Sequence, residues 1–325
     1  SPTSKSGVPT TTACEESQSE RFLQLYDKLL FQPDVDMRVF PKCQVVLIEQ
    51  VPPAWVTNLY ALKDTLKVLR IDNSCINDLA KLLDPNGQQK FAAEELNADP
   101  LLTPEQLVPV SYSKLTHVKF TNCGLNKLSN MRGRRLGPGR RSMAPMSALR
   151  NLHSLDLSYN EIISQRDALA GLRHLPQLSR LDLSHNWIHC LDKANYRLGN
   201  LQSLRLSHNK LKSVQGIDHL VSLQELWLDF NDFVGFSEIR GLSRLQLLED
   251  LHLNGNPMQL VNFRDYRINV LSVFMETRLL GLGANGTFGT LRDALPRLDG
   301  MATTINELTR LKERSFRPIF LNQSE

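Results

Sequence analysis

Between Leu152 and Met258 the chain repeats one spacing five times, L-x-x-L-x-L-x-x-N-x-L, with other apolar side chains accepted only at the last position. The copies begin at Leu152, Leu178, Leu201, Leu223 and Leu248, at intervals of 26, 23, 22 and 25 residues, and carry Asn160, Asn186, Asn209, Asn231 and Asn256. Looser copies precede them. Leu66 opens LKVLRIDNSCI with Ser74 in the asparagine place, Leu115 opens LTHVKFTNCGL with Cys123 there, and Cys43 opens the weakest, CQVVLIEQVPP. A unit this short cannot enclose a core alone, so it folds only by burying its apolar side against the next copy.

The L-x-L segment alternates as a short parallel strand does, with leucines inward and the x positions outward. Each asparagine offers two donors and an acceptor, which suits a buried column that satisfies backbone groups where the chain leaves each strand. Between strands the apolar residues recur at every third position, as in Leu211, Val214, Ile217, Leu220 and Leu223, or Phe233, Phe236, Ile239, Leu242, Leu245 and Leu248. That period fits tight 3-10 turns. Pattern and unit length resemble the leucine-rich repeat, and the 22-residue unit is similar to the cytoplasmic class of that family. The expected fold is an α/β leucine-rich repeat solenoid of seven to eight repeats, capped at both ends. It has a curved parallel sheet on the concave side and helical and 3-10 turns on the convex side. Seven or eight strands at about 4.8 Å make a sheet roughly 35 Å long.

Around the repeats, residues 1–18 are rich in Ser and Thr and read as a disordered tail. Residues 19–42 read as an N-terminal helical cap, with Phe22, Leu25, Tyr26, Leu29 and Leu30 at helical spacing. The repeats occupy 43–258, interrupted by insertions at 84–113 and 131–146; the first contains LTPEQL, with Thr103 as N-cap and Pro104 at the first helical position. Residues 259–325 form a C-terminal cap. Where the last repeat runs into it, Asn256-Pro257, Tyr266-Arg267 and Val270 resemble the cap of cytoplasmic leucine-rich repeat proteins, whose Leu-Asp-Gly step is delayed here to Leu298–Gly300 by an insertion. TTINELTRLKERSF then reads as a closing helix, with Ile305, Leu308 and Leu311 on one face.

Net charge is +4, but five arginines fall in the second insertion, MRGRRLGPGRRSMAPM, and without them the balance drops to −1. No basic face for nucleic acid follows from the remainder, and the arginine stretch reads as a solvated loop. Five scattered cysteines, without the paired spacing of disulfide-rich end caps, favour a reducing compartment and so a cytoplasmic location. No apolar run reaches the length of a membrane helix. Gly281–Gly286 spell G-x-G-x-x-G, but in a cap rather than a strand–turn–helix unit, which argues against a nucleotide. His185, His189 and Cys190 lack metal-ligand spacing. The expectation is a non-enzyme with no cofactor, metal or small-molecule substrate.

Candidate functional residues come from the columns that repetition creates. Trp227 occupies an outward x position, in a column with Asp156, Asp182, Arg205 and His252, and Phe230 shares another with Tyr159, His185 and His208. Two large aromatics beside Glu225, Asp229 and Arg205 have the composition of a binding hot spot, so the ten of these residues other than Asp156, centred on Trp227 and Phe230, are the expected partner-binding surface on the concave face. The order of features in LDLSYN, LRLSHNKL, LDFND, GNP, DYR and the late LDG resembles the leucine-rich region of serine/threonine kinase eleven-interacting proteins and of nischarin. That resemblance implies a scaffold or adaptor that binds a signalling or trafficking partner, such as a kinase, phosphatase or small GTPase system. Other expectations on the same fold are a nuclear ribonucleoprotein component of spliceosomal type and a microtubule or axonemal adaptor.

Overall fold

Leucine columns that must stack predict strands side by side in chain order, and the computed structural model has that arrangement. It describes residues 22–25, 35–76, 83, 111–125, 135–136, 140–141, 149–163, 172, 175–191, 198–261, 264–282 and 294–315. Ten strands form one parallel sheet: β1 (Phe22–Leu25), β3 (Val45–Glu49), β5 (Val68–Asp72), β6 (His117–Thr121), β9 (Ser154–Asp156), β10 (Arg180–Asp182), β11 (Ser203–Arg205), β12 (Glu225–Trp227), β13 (Asp250–His252) and β14 (Arg297–Leu298). The strands between these belong to two small pairs. β2 (Val35–Asp36) pairs in parallel with β4 (Val56–Thr57), and β7 (Arg135–Leu136) forms an antiparallel hairpin with β8 (Arg140–Arg141) in the arginine stretch that was expected to be a plain loop. In the main sheet, register aligns Val118, Leu155, Leu181, Leu204, Leu226, Leu251 and Leu298 across seven strands. All seven are buried.

The weak copy at Cys43 is a full repeat, since β3 pairs along its whole length with β5. Both end segments add a strand, so the sheet exceeds the expected eight. At the N-terminus this corrects the helix expected from the spacing of Phe22 and Leu25, because Phe22–Leu25 lies parallel to Val45–Ile48. The physical reason is the open edge of β3: its unpaired N–H and C=O groups can be satisfied by a strand but not by a helix. Residues 26–34, where the remainder of that helix was expected, fall outside the described residues, as does the LTPEQL segment.

On the convex side the period of three produces a 3-10 helix over Phe236–Arg244, with Ile239 and Leu242 buried. The C-terminal cap contains α1 (Pro257–Val261), α2 (Tyr266–Leu282) and α3 (Ile305–Ser315). Thr304 starts α3 as a capping box: its Oγ1 accepts from Glu307 N at 3.3 Å, and Glu307 Oε2 accepts from Thr304 N at 2.8 Å. Leu308 and Leu311 are buried, but Ile305 is 68% exposed. At 100° per residue Ile305 and Leu311 lie about 120° apart, so the Ile305 side chain points away from the face that Leu308 and Leu311 bury.

Candidate functional site

The buried asparagines set the geometry of everything that faces solvent beside them. Asn209 Nδ2 donates to Leu183 O and Leu206 O, both at 3.0 Å, while its Oδ1 accepts from Ile188 N at 3.0 Å. Asn160, Asn186, Asn231 and Asn256 repeat the arrangement, each tying its own strand exit to the previous one. Cys123 substitutes in part, its thiol donating to Ile71 O at 3.2 Å, and burial pushes its pKa up to about 12. To aim its side chain inward, each asparagine needs a sharp reversal just before it. The preceding residue is left-handed in all eight repeats: Gln50, Asn73, Asn122, Tyr159, His185, His208, Phe230 and Gly255 have φ between +51° and +71°.

Four consecutive members of that column are aromatic, and they stack. Ring centroids are 4.0 Å apart for Tyr159 and His185, 4.1 Å for His185 and His208, and 4.4 Å for His208 and Phe230, with interplanar angles of 10–13°. The stack ends at Gly255 for a steric reason: a Cβ there would lie 2.5 Å from Phe230 Cδ1. Tyr159 is 53% exposed and Phe230 52%. The His185 pKa is lowered from its ordinary value, by partial burial first and by His208 second, with Asp182 acting the other way.

A second stack lies on the outward side of the strands themselves. Trp227 and His252 have ring centroids 3.8 Å apart, and the Arg205 guanidinium sits 4.8 Å from the Trp227 ring centre. Trp227 is therefore half-buried between its own neighbours rather than open to water, and its indole N–H is covered without an acceptor. Further along this column the charges pair off, Lys119 with Asp156 at 2.8 Å and Arg205 with Asp182 at 4.0 Å. Burial raises the Asp156 pKa, but Lys119 and Ser158 outweigh it and hold the carboxyl below the usual range.

Of the expected site residues, the structure thus brings Arg205, Trp227 and His252 together, and Tyr159, His185, His208 and Phe230 together, in two separate stacks. Asp182 lies between them, 4.0 Å from the Arg205 guanidinium and close enough for its charge to act on His185. Glu225 is exposed and accepts from Ser203 Oγ at 2.8 Å. Asp229 departs from expectation: it is buried, and its carboxylate accepts from Asn254 N at 2.9 Å and Ser207 Oγ at 3.2 Å, so it shapes a turn. Trp187 escaped the sequence reading although it is 54% exposed. The signal was the column just after the asparagines, where Glu161, Trp187, Lys210 and Asp232 follow one another.

One trio among the described residues has metal-ligand proximity: Asp229, His252 and Asp299, each with a donor atom within 4.8 Å of the others. Its carboxylates already have structural partners. Asp299 accepts from Leu253 N at 2.8 Å and from Tyr266 Oη at 3.2 Å, which locks the delayed Leu-Asp-Gly step to α2. Burial, with Asp229 adding to it, raises the Asp299 pKa. Gly281 and Leu282 of the glycine-rich motif lie at the end of α2 rather than at a helix start, and 283–286 are outside the described residues. No described helix is long and apolar enough to cross a membrane.

Comparison with known proteins supports the repeat reading. Residues 176–233 match the family model described as leucine rich repeat. An uncharacterised leucine-rich repeat-containing protein of Schizosaccharomyces pombe is 30% identical over 167 residues, 51% of this chain and 24% of that one. Human serine/threonine-protein kinase 11-interacting protein is 34% identical over 117 residues, 36% of this chain and 10% of that one. Mouse centrosomal protein of 72 kDa is 33% identical over 123 residues, 37% and 19% respectively. The match spans a quarter or less of each relative's length. Spacing, asparagine column, stacked parallel strands and the match over residues 176–233 converge on one architecture, a leucine-rich repeat solenoid.

Proposed function

We propose that this chain is a non-enzymatic scaffold of the cytoplasm that holds a signalling or trafficking protein against its concave sheet, with Trp227 at the centre of the contact. Leucine-rich repeat proteins generally act through protein–protein contacts, on the extended surface that stacking creates. The observation that carries the reading is the Arg205–Trp227–His252 stack. It supplies a rigid aromatic anchor, with Arg205 shared between the Trp227 ring and Asp182, beside the Lys119–Asp156 pair of the same column. One relative is named for an interaction with serine/threonine-protein kinase 11, which favours a kinase system over a phosphatase or small GTPase. A second reading, a microtubule or centrosomal adaptor, draws on the mouse centrosomal relative.

The test is affinity capture from native extract with wild type and a Trp227→Ala variant, the fold of both checked by circular dichroism. The reading expects at least one partner to be lost selectively in the variant. Retention of every partner would remove the concave stack from consideration.

A further inference from the structure

The stack at the strand exits and the column beside it together line a shallow cavity of about 440 Å³, bounded by His185, Trp187, His208, Lys210 and Phe230. Four successive bulky residues, Tyr159, His185, His208 and Phe230, hold φ near +55° there. Two of the three looser repeats place Asn73 and Asn122 at this position, the other places Gln50, and the last repeat places Gly255; for Asn and Gly the left-handed region is inexpensive. Backbone strain at each aromatic is offset in part by the stacking of its neighbours. What the arrangement gains is a continuous row of rings.

Because the rings cover one another's faces, the open side of the row presents ring edges. Edges carry the positive end of the aromatic quadrupole, and the histidine edges add an N–H donor each. Lys210 is the charged side chain that lines the cavity. In its own column the order is Glu161, Trp187, Lys210, Asp232, and equivalent backbone bonds place these four in register: Glu161 N to Leu125 O, Trp187 N to Ile162 O, Lys210 N to Ile188 O and Asp232 N to Leu211 O. Positive character is thus confined to the middle of the patch, with an acid at either end and an exposed indole next to the lysine. A ligand complementary to that order has one carboxylate flanked by apolar side chains.

We propose that this strand-exit edge is a docking site for an extended acidic–apolar segment of a partner protein. The segment seats an Asp or Glu carboxylate on Lys210 and the edges of His185 and His208, and an apolar side chain against Trp187. The proposal rests on the scaffold reading but names a different surface from the concave stack.

The test is selection of a random dodecapeptide display library against the full chain, followed by affinity measurement of the enriched peptides. The expected peptides carry an Asp or Glu between apolar residues. Lys210→Glu weakens them by about tenfold or more, Lys210→Arg and Trp227→Ala leave them bound, and Trp187→Ser loses them, with folding of each variant verified by circular dichroism. Absence of enrichment over an unrelated protein, enrichment of basic or neutral peptides, or indifference to Lys210→Glu overturns the site. Peptides lost in Trp227→Ala but kept in Lys210→Glu also overturn it, while leaving the concave scaffold reading intact.

Discussion

The residue before each buried asparagine must reverse the chain, and most of the chemistry of this surface follows from that. At Gly255 the left-handed backbone coincides with the Phe230 ring, which occupies the volume a Cβ would need. Gly255→Ala is expected to destabilise the protein by about 1–3 kcal/mol, from backbone strain and the displaced ring. Adding Phe230→Ala should recover the steric part, so a double-mutant cycle in chemical denaturation should show coupling. Strict additivity would mean the ring does not pack on that backbone. His185 makes a pH prediction. Its pKa is depressed in the folded state, so the unfolded chain binds more protons as pH falls, and stability declines once pH drops below the ordinary value of 6.5. His185→Gln should flatten this acid-side loss in melting curves at about pH 7.5 and about pH 5.5; an unchanged slope would refute the assignment.

At the scale of elements, the C-terminal cap depends on one side chain. Arg267 on α2 donates to Leu298 O at 2.8 Å and pairs with Glu307 at 2.6 Å, joining β14 to α3 through a partly buried guanidinium. Glu307 also belongs to the capping box, and these contacts outweigh its burial to hold its carboxyl below the usual range. Arg267→Ala leaves a carbonyl and a carboxylate short of a donor, at about 2–4 kcal/mol. Hydrogen exchange should locate the loss in α3 and β14 and spare β9–β12, since each repeat leans only on its neighbours. Uniform loss of protection across the sheet would show that the cap and repeats unfold as one unit.

For the molecule as a whole, ten strands in chain order leave two sheet edges, and the two ends of the described chain each bring a strand to one of them. The C-terminal strand is short, but it pairs with β13 while α3 packs on α2, and Leu298, Leu308 and Leu311 are buried there. A chain ended at residue 293 would lose that cover and expose both the edge and the leucine column. It should self-associate in size-exclusion chromatography with light scattering at concentrations where the full chain does not. A truncated chain that stays monomeric would show that α2 alone protects the edge.

The sequence by itself determined the solenoid, because leucine spacing, strand alternation and the asparagine places are one-dimensional properties that stacking merely repeats. It also determined which residues share a column, since register in such a sheet follows from the period. The tertiary structure alone decided what those columns do. Trp227 and Phe230 look like one hot spot in sequence, yet a left-handed residue three positions past Trp227 turns Phe230 into a different stack. Asp229 looks exposed but is taken up by a neighbouring turn. Phe22–Leu25 has helical spacing, yet the open edge of β3 makes it a strand. In each case the deciding partner comes from another repeat or the far side of an edge, and local periodicity carries no information about backbone groups left unpaired elsewhere.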